Sequence, residues 1–378
     1  MKEVLIFYAS YGGGHLSAAR SVKEYIETNY NNVHVTLLDC MEYINKILNK
    51  LTTTAYNEMA KKAPNLWGHL YYDSEKGPIK HLSMDANKLM SYKLKNLLDE
   101  KHPDLIISTH FFPSTMCAYL KQKNKLDCPI ATIMTDYAPH DQWLVMNEYI
   151  DYFFVSHDGM KQELIGLGVD EKKIHATGIP VSQRFLKEYN KSDIIKEFEL
   201  SNDKKTILFF GGGQFGLGKG NTLKIFEALV KCSANIQIVA ISGKNQKMKE
   251  SFENIVSSYN KNNTIKILEF TNKVPELMSI STLIITKPGG LTTTESLVSG
   301  LPIVVINPIP GQEESNAKYL EDNKVAIWLK DTDNAESILN DLLNDELKLD
   351  DMHVHSMLLA KPNSTKDICK ILLGINNL

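Results

Sequence analysis

This sequence predicts an α/β protein built on two doubly wound, Rossmann-like parallel sheets, and three observations carry that prediction. Strand-like apolar runs alternate with helical stretches in both halves of the chain. The first strand of each half runs directly into glycines, at Gly12, Gly13 and Gly14 and again at Gly211, Gly212 and Gly213. The 378 residues suffice for two domains, each with its own core. In open sheets of this kind ligands sit beyond the carboxyl ends of the strands, so the glycine loops are expected to face one cleft.

Residues 4 to 9 read as a first strand, too short and too quickly polar for a signal peptide. They lead through Ser10 to His15 into a helix marked by Leu16, Ala19, Val22 and Ile26, and a second strand at 33–38 ends at Asp39. From Met41 to about Met84 the pattern loosens into aromatics and lysines, among them Tyr56, Lys61, Lys62, Trp67, Tyr71 and Tyr72. A helix over 86–98 restores the alternation, with strands at 105–108, 130–135, 152–155 and 174–178. The charged, weakly patterned stretch 187–205 is the linker candidate, which puts the domains at 1–188 and 189–359. Strands at 206–210, 236–241, 265–270, 283–286, 302–306 and 325–329 fill the second half, and a helix within 360–378 is expected to pack back on the first domain.

Composition narrows the function classes. A hydrophobic content of 43% and a net charge of −3 describe an ordinary globular chain with no global attraction to nucleic acid. The five scattered cysteines form no Cys-x-x-Cys pair and suit reduced thiols in a cytosolic setting. No run approaches the ~20 apolar residues of a membrane span, so membrane contact is expected to be peripheral.

The chemistry concentrates in a few loops. Thr286 to Ser296 reads strand, glycine turn, helix: Gly289 and Gly290 after Pro288 let an anion approach the backbone, and the first helical N–H groups await a partner. Thr292 and Glu295 also have capping-box spacing, which is the competing reading. His15 stands at a helix start, whose positive end favours the neutral ring and so a proton acceptor. Asp136 and His140 follow a buried strand, where Asp136 could equally serve a turn, and Gln312 and Glu313 occupy the same position after another. Gly12-x-Gly14 with Asp39 is a weak dinucleotide fingerprint, since Ser17 fills the third position, and no Gly-Lys-Ser/Thr closes either loop. Asp331 and Asp333 read as a helix cap, His353 and His355 have no companion ligands, and neither a metal nor a cofactor is expected.

Taken together, Ser10 to His15, Thr135-Asp136 with His140 and Trp143, Gly178-Ile179-Pro180, Gly211 to Gly213, Thr286 to Glu295 and Pro310 to Glu313 resemble the diacylglycerol glycosyltransferases. That family comprises bacterial processive glucosyltransferases and plant monogalactosyldiacylglycerol synthases, with the peptidoglycan N-acetylglucosaminyltransferase more distant. The resemblance implies a GT-B fold and an inverting, metal-independent transfer of a hexose from UDP-glucose or UDP-galactose to diacylglycerol or a glycosyl-diacylglycerol.

It further implies that Glu295 holds the ribose, that the turn of Gly289, Gly290 and Thr292 with the loop of Gly211, Gly212 and Gly213 takes the diphosphate, that Phe270 to Val274 hold the uracil, and that Gly13, Gly14, Gln214, Pro288 and Thr293 also belong to the donor site. Gln312 and Glu313 would touch the donor sugar, and His15, helped by Asp136 or His140, would be the base. Helix N-termini and backbone N–H groups, rather than a cation, would meet the leaving charge, since Lys287 is the one strongly basic residue of the turn and its side chain can point away. Trp67, Tyr71, Tyr72 and Trp143 would serve the lipid acceptor and the inner face of the cell membrane, with the protein cytoplasmic and peripherally attached. The alternatives are a same-fold transferase with a polyprenyl-linked or soluble acceptor, and a non-catalytic UDP-sugar sensor. Nothing in the sequence assigns an oligomeric state.

Overall fold

The structure, a computed structural model, describes residues 1–10, 12–44, 78–212, 219–259 and 264–374, with side chains described from residue 90 in the helix Pro78–Lys101. Trp67, Tyr71, Tyr72, Gly213 and Gln214 lie outside the described residues. The chain divides into two compact units: one runs to Gln183 and resumes at Lys361, and the other is Arg184–Ala360.

The first unit holds strands β1 (Lys2–Tyr8), β2 (Val33–Asp39), β3 (Leu105–Ser108), β4 (Ile130–Ile133), β5 (Tyr152–Phe154) and β6 (Ile174–His175). They pair in parallel in the order β2-β1-β3-β4-β5-β6. Both faces of this sheet are covered, which is why its central strands are apolar throughout rather than alternating with polar residues. Leu5, Phe7 and Ile106 pack on one side with Met116, Trp143 and Phe153. Val4, Ile6 and Ile107 pack on the other with Val22, Ile26 and Phe154.

The helix Ser364–Leu373 adds Ile368, Cys369 and Leu372 to that second face. The Ser364 and Thr365 hydroxyls fasten its start by donating to the carbonyls of Ile179 and Val181, each at 2.9 Å. Gly178 permits the approach, because a Cβ there would stand 2.5 Å from the Lys361 Cβ.

The second unit repeats the plan with β7 (Lys205–Phe210), β8 (Ile236–Ile241), β9 (Ile265–Leu268), β10 (Leu283–Thr286), β11 (Ile303–Val305) and β12 (Ala326–Trp328), parallel in the order β12-β11-β10-β7-β8-β9. The stretch read as a linker is part of this unit. It contains the helix Lys191–Glu197, whose Ile194 is buried, while Glu197 and Glu199 pair with Lys273 and Lys266. Sparse apolar residues and dense charge disguised a short helix with one buried side chain.

Each sheet has a point where successive strands stop stepping one way and start stepping the other: between β1 and β3 in the first unit, between β7 and β10 in the second. In such sheets the loops at the carboxyl ends diverge at this point, which is the usual ligand position.

Candidate functional site

In the first unit the loops after β1, β3 and β4 are neighbours because those strands are, with Phe7 opposite Ser108 and Ser108 opposite Thr132. The β1 loop enters the helix Gly14–Asn29 through Gly12, at φ +93, and is tied down where Ser10 Oγ donates to Asp39. Asp39 also accepts from the N–H groups of Met41 and Glu42 at 3.0 and 3.1 Å. Its carboxylate is occupied in organising its own loop, which argues against the ribose role of a dinucleotide fingerprint.

His15 Nδ1 lies 2.7 Å from the Thr109 carbonyl oxygen and 3.1 Å from Thr135 Oγ1. A carbonyl only accepts, so Nδ1 carries the proton and Nε2 is left as the basic nitrogen. Thr109 Oγ1 donates back to the His15 carbonyl at 2.8 Å, which locks the two loops together. Burial pulls the ring down to about 4, against the opposing effect of the Thr109 hydrogen bond. The ring is therefore neutral at ordinary pH, as the sequence implied, but desolvation and not the helix terminus is the main cause.

Two further histidines crowd this one. The His110 ring meets His15 edge to face at a centroid distance of 4.7 Å, and burial, then His15 and His140, push it well below its usual range. Its Nδ1 accepts from the Phe112 N–H at 3.1 Å, capping the helix Phe111–Gln122. His140 is buried against Phe111 and Trp143 and is held at about 3 by burial and by His15. Asp136 is buried in the same loop. The sequence reading passed over His110, although its position just beyond a buried strand was the available signal.

Trp143 requires a correction. It is 2% exposed and part of the core beneath the histidines, so it cannot reach a membrane surface. A tryptophan in an aromatic, polar loop has the composition of an interfacial residue whichever way it points, and here the ring packs inward on His110, Phe111 and His140.

In the second unit the Gly211–Gly212 loop follows β7 and the Lys287–Gly290 turn follows β10, on either side of the switch point. Gly289 is the N-cap of the helix Gly290–Val298 and, lacking a side chain, leaves the first helical N–H groups open. The capping box is not formed, since Thr292 lies inside the helix and its carbonyl accepts from Ser296 Oγ. Glu295 does not fold back on it. Among the described residues the half-buried Glu295 carboxylate has no hydrogen-bond or ion-pair partner, and burial raises it to about 8. The Thr293 hydroxyl is buried, again with no partner among the described residues.

Asn316, fully buried, donates from Nδ2 to the Pro288 carbonyl at 2.9 Å and fixes the turn against the helix Gln312–Asp322, on which Gln312 is the first residue. Glu314 caps this helix, accepting from the Gly311 N–H at 3.2 Å. Glu313 accepts from the Ile309 N–H at 2.7 Å and faces Lys287. Phe270 is 68% exposed with the Lys244 ammonium 5.5 Å from its ring, and Val274 begins the helix Val274–Ile280. Arg184 braces that loop through Asn272 and Glu276.

Asp331 accepts from Asp333 N–H, Asn334 N–H and Asn334 Nδ2, a turn rather than a ligand set. Among the described residues no group of three or more His, Cys, Asp or Glu is arranged to hold a metal, and no helix is long and apolar enough to cross a membrane.

Two family models match the chain. The family described as monogalactosyldiacylglycerol (MGDG) synthase matches residues 15–181, and the glycosyltransferase family 28 C-terminal domain matches residues 206–370. A processive diacylglycerol beta-glucosyltransferase of Staphylococcus haemolyticus is 33% identical over 99% of this chain and 93% of its own length. One from Bacillus licheniformis is 31% identical over 97% and 93%. Among solved structures, MurG of Acinetobacter baumannii superposes with a TM-score of 0.68 at 16% identity, covering 99% of this chain and 100% of that one. The UDP-GlcNAc 2-epimerase of Neisseria meningitidis bound to UDP-GlcNAc gives 0.66 at 15% identity, covering 99% and 100%. At such identities the likeness is one of fold, and the fold is GT-B.

Proposed function

We propose that this chain, which belongs to the diacylglycerol glycosyltransferase family, transfers glucose from UDP-glucose to diacylglycerol or a glycosyl-diacylglycerol, with inversion and without a metal. The relatives' name supplies the sugar and the β product. A β-glucoside formed from an α-linked nucleotide sugar requires attack from the face opposite the leaving UDP.

The observation that carries the reading is the tautomer lock on His15. Its Nδ1–H is held by the Thr109 carbonyl, so Nε2 is free to take the proton of an acceptor hydroxyl as that oxygen attacks the anomeric carbon. Burial keeps the base in its accepting form. On the second unit, the open N–H groups after Gly289 and the Gly211–Gly212 loop would meet the departing diphosphate, Glu295 the ribose hydroxyls, Phe270 and Val274 the uracil, and Gln312 the sugar. Glu313, already anchored to Ile309, would contribute its remaining oxygen to the sugar. Peripheral attachment to the inner face of the membrane belongs to the same proposal, since the acceptor is a membrane lipid.

The test is incubation of the protein with UDP-glucose or UDP-galactose and vesicles containing diacylglycerol, with assay of both released UDP and new glycolipid. Glucolipid formation is the expected result. UDP release only with a soluble or polyprenyl-linked acceptor, or UDP binding without turnover, would sink the proposal. Sedimentation with anionic vesicles at low salt tests the membrane contact separately, and failure to sediment would remove it.

A further inference from the structure

Lys287 is the first residue after β10, beside the switch point of the second sheet. Its stem runs against the neighbouring glycine loop: a Cβ on Gly212, which stands at φ +95, would be 4.0 Å from Lys287 Cε. The side chain is half-buried, and among the described residues its ammonium has no hydrogen-bond acceptor and no carboxylate within ion-pair distance. Lys205 and Lys249, half-buried in the same unit, are satisfied. Lys205 donates to the Leu343 carbonyl at 3.0 Å and approaches Glu346, and Lys249 pairs with Glu269 at 2.7 Å.

Glu313 attracts Lys287 across the site but is already anchored, with one oxygen on the Ile309 N–H. Burial lowers the Lys287 ammonium below its usual range and outweighs that attraction. A cation removed from water without a partner is unfavourable unless something supplies the missing negative charge. The open N–H groups after Gly289, two residues further along the same turn, select for negative charge as well.

We propose that the Lys287 ammonium is a direct ligand of the donor's diphosphate, a side-chain cation in a cradle otherwise made of backbone N–H groups. The proposal rests on the donor assignment above and replaces the sequence expectation that this side chain can point away. A lysine suits the role as a compact point charge that follows an oxygen as it gains charge, where an arginine fork would demand a fixed bidentate geometry. When the bond between the anomeric carbon and the β-phosphate oxygen breaks, the electron pair stays on that oxygen. Lys287 then meets part of the charge that a divalent cation carries in metal-dependent transferases.

The experiment is calorimetric titration of UDP and of uridine into the full-length protein, its Lys287→Met and Lys287→Arg variants, and the double variant Lys287→Met/Glu313→Gln. Lys287→Met is expected to weaken UDP about 10–100-fold, the range for a lost hydrogen bond to a charged group. Uridine affinity should be unchanged, and Lys287→Arg should lose less than Lys287→Met. Equal losses for UDP and uridine, or none for either, would overturn the proposal. So would recovery of UDP affinity in the double variant, which would make Lys287 merely the counter-charge of Glu313. A wild-type protein that binds neither ligand overturns the donor assignment itself, a result distinct from all of these.

Discussion

The loops at the two switch points use burial for opposite ends. In the first unit it strips the charge from three histidines, and a neutral imidazole is what a base requires. In the second it leaves a carboxyl and an ammonium, Glu295 and Lys287, without partners among the described residues, beside a turn rich in open N–H groups. One set of loops is held in place by its own hydrogen bonds, from His15 to the Thr109 carbonyl, from Thr109 back to the His15 carbonyl and from the Phe112 N–H to His110. The other has polar groups to spare, which is the condition of a site that completes itself by binding. On the proposed roles, the same physical term makes a reagent in one unit and a receptor in the other.

The sharpest way to break this contrast is His15→Ala. Turnover is expected to fall about 10²–10⁴-fold, the usual contribution of a positioned base, while UDP affinity is unchanged. Retained turnover, or a parallel loss of UDP binding, would end the division into base and receptor. Next in size is the response to a single added methyl in each glycine loop. At Gly211 the new carbon would stand 2.7 Å from the ring of Phe252, which is fully buried, so Gly211→Ala should lower stability by about 1–3 kcal/mol through overpacking. At Gly12 no described residue other than its chain neighbours lies within 4 Å, and the φ of +93 is what resists substitution. Gly12→Ala should thus destabilise by about 1–2 kcal/mol from backbone strain alone. Thermal melts in denaturant series check both, and a Gly211 variant as stable as wild type would show the loop to be looser than its contacts.

Much of the fold was legible because a doubly wound sheet writes itself plainly. A short β-branched run ending in glycine or a polar residue, followed by a helical period, recurs through both halves, and residues 105–108, 236–241 and 283–286 match the strands observed. What failed lacked that signature. The helix Lys191–Glu197 buries Ile194 alone among its residues and reads as charge. The helix at Pro78 begins eight residues earlier than its apolar period suggested. In the site, residue types were easier to read than directions. Glycine turns and the His15 position follow from local spacing. Whether Trp143 points to lipid or to the core, whether Glu295 folds onto Thr292, and whether Lys287 turns to the glycine loop depend on neighbours distant in sequence. His110 was missed for the same reason, since its importance comes from His15, ninety-five positions earlier.

A subtler test uses pH, because the two sets of groups respond with opposite signs. His15 and His140 titrate at about 4 and about 3 in the fold against 6.5 when unperturbed. Below 6.5 the unfolded chain binds protons that the folded unit refuses, so stability is lost as pH falls and the loss levels off near the folded values. Glu295 titrates at about 8 in the fold against 4.5. Its contribution is complete below 4.5 and is lost as pH rises towards 8, where the unfolded chain has already released the proton. Hydrogen exchange on the intact protein should therefore show β1 and β3 peptides losing protection as pH falls below 6.5 and β10 peptides losing it as pH rises from 4.5 towards 8. Each group can change protection by up to about tenfold per pH unit, and Glu295→Gln should flatten the second trend alone. Parallel trends in both sets of peptides would remove the contrast.

The smallest effect concerns what neither set of loops is proposed to use. The Asp331 side chain accepts from two backbone N–H groups and the Asn334 amide, and those bonds hold its carboxyl below the usual range. A carboxylate committed to its own turn has little to offer a divalent cation, and the proposed leaving-group charge is met by Lys287 and the helix N–H groups instead. Asp331→Ala should lower the melting temperature by less than Gly211→Ala and leave turnover unchanged, and a chelator in the assay should do nothing to either protein. If chelation stopped turnover in the wild type and Asp331→Ala reproduced the loss, Asp331 would be a metal ligand, and the second unit would meet its leaving group with a borrowed cation rather than with its own lysine.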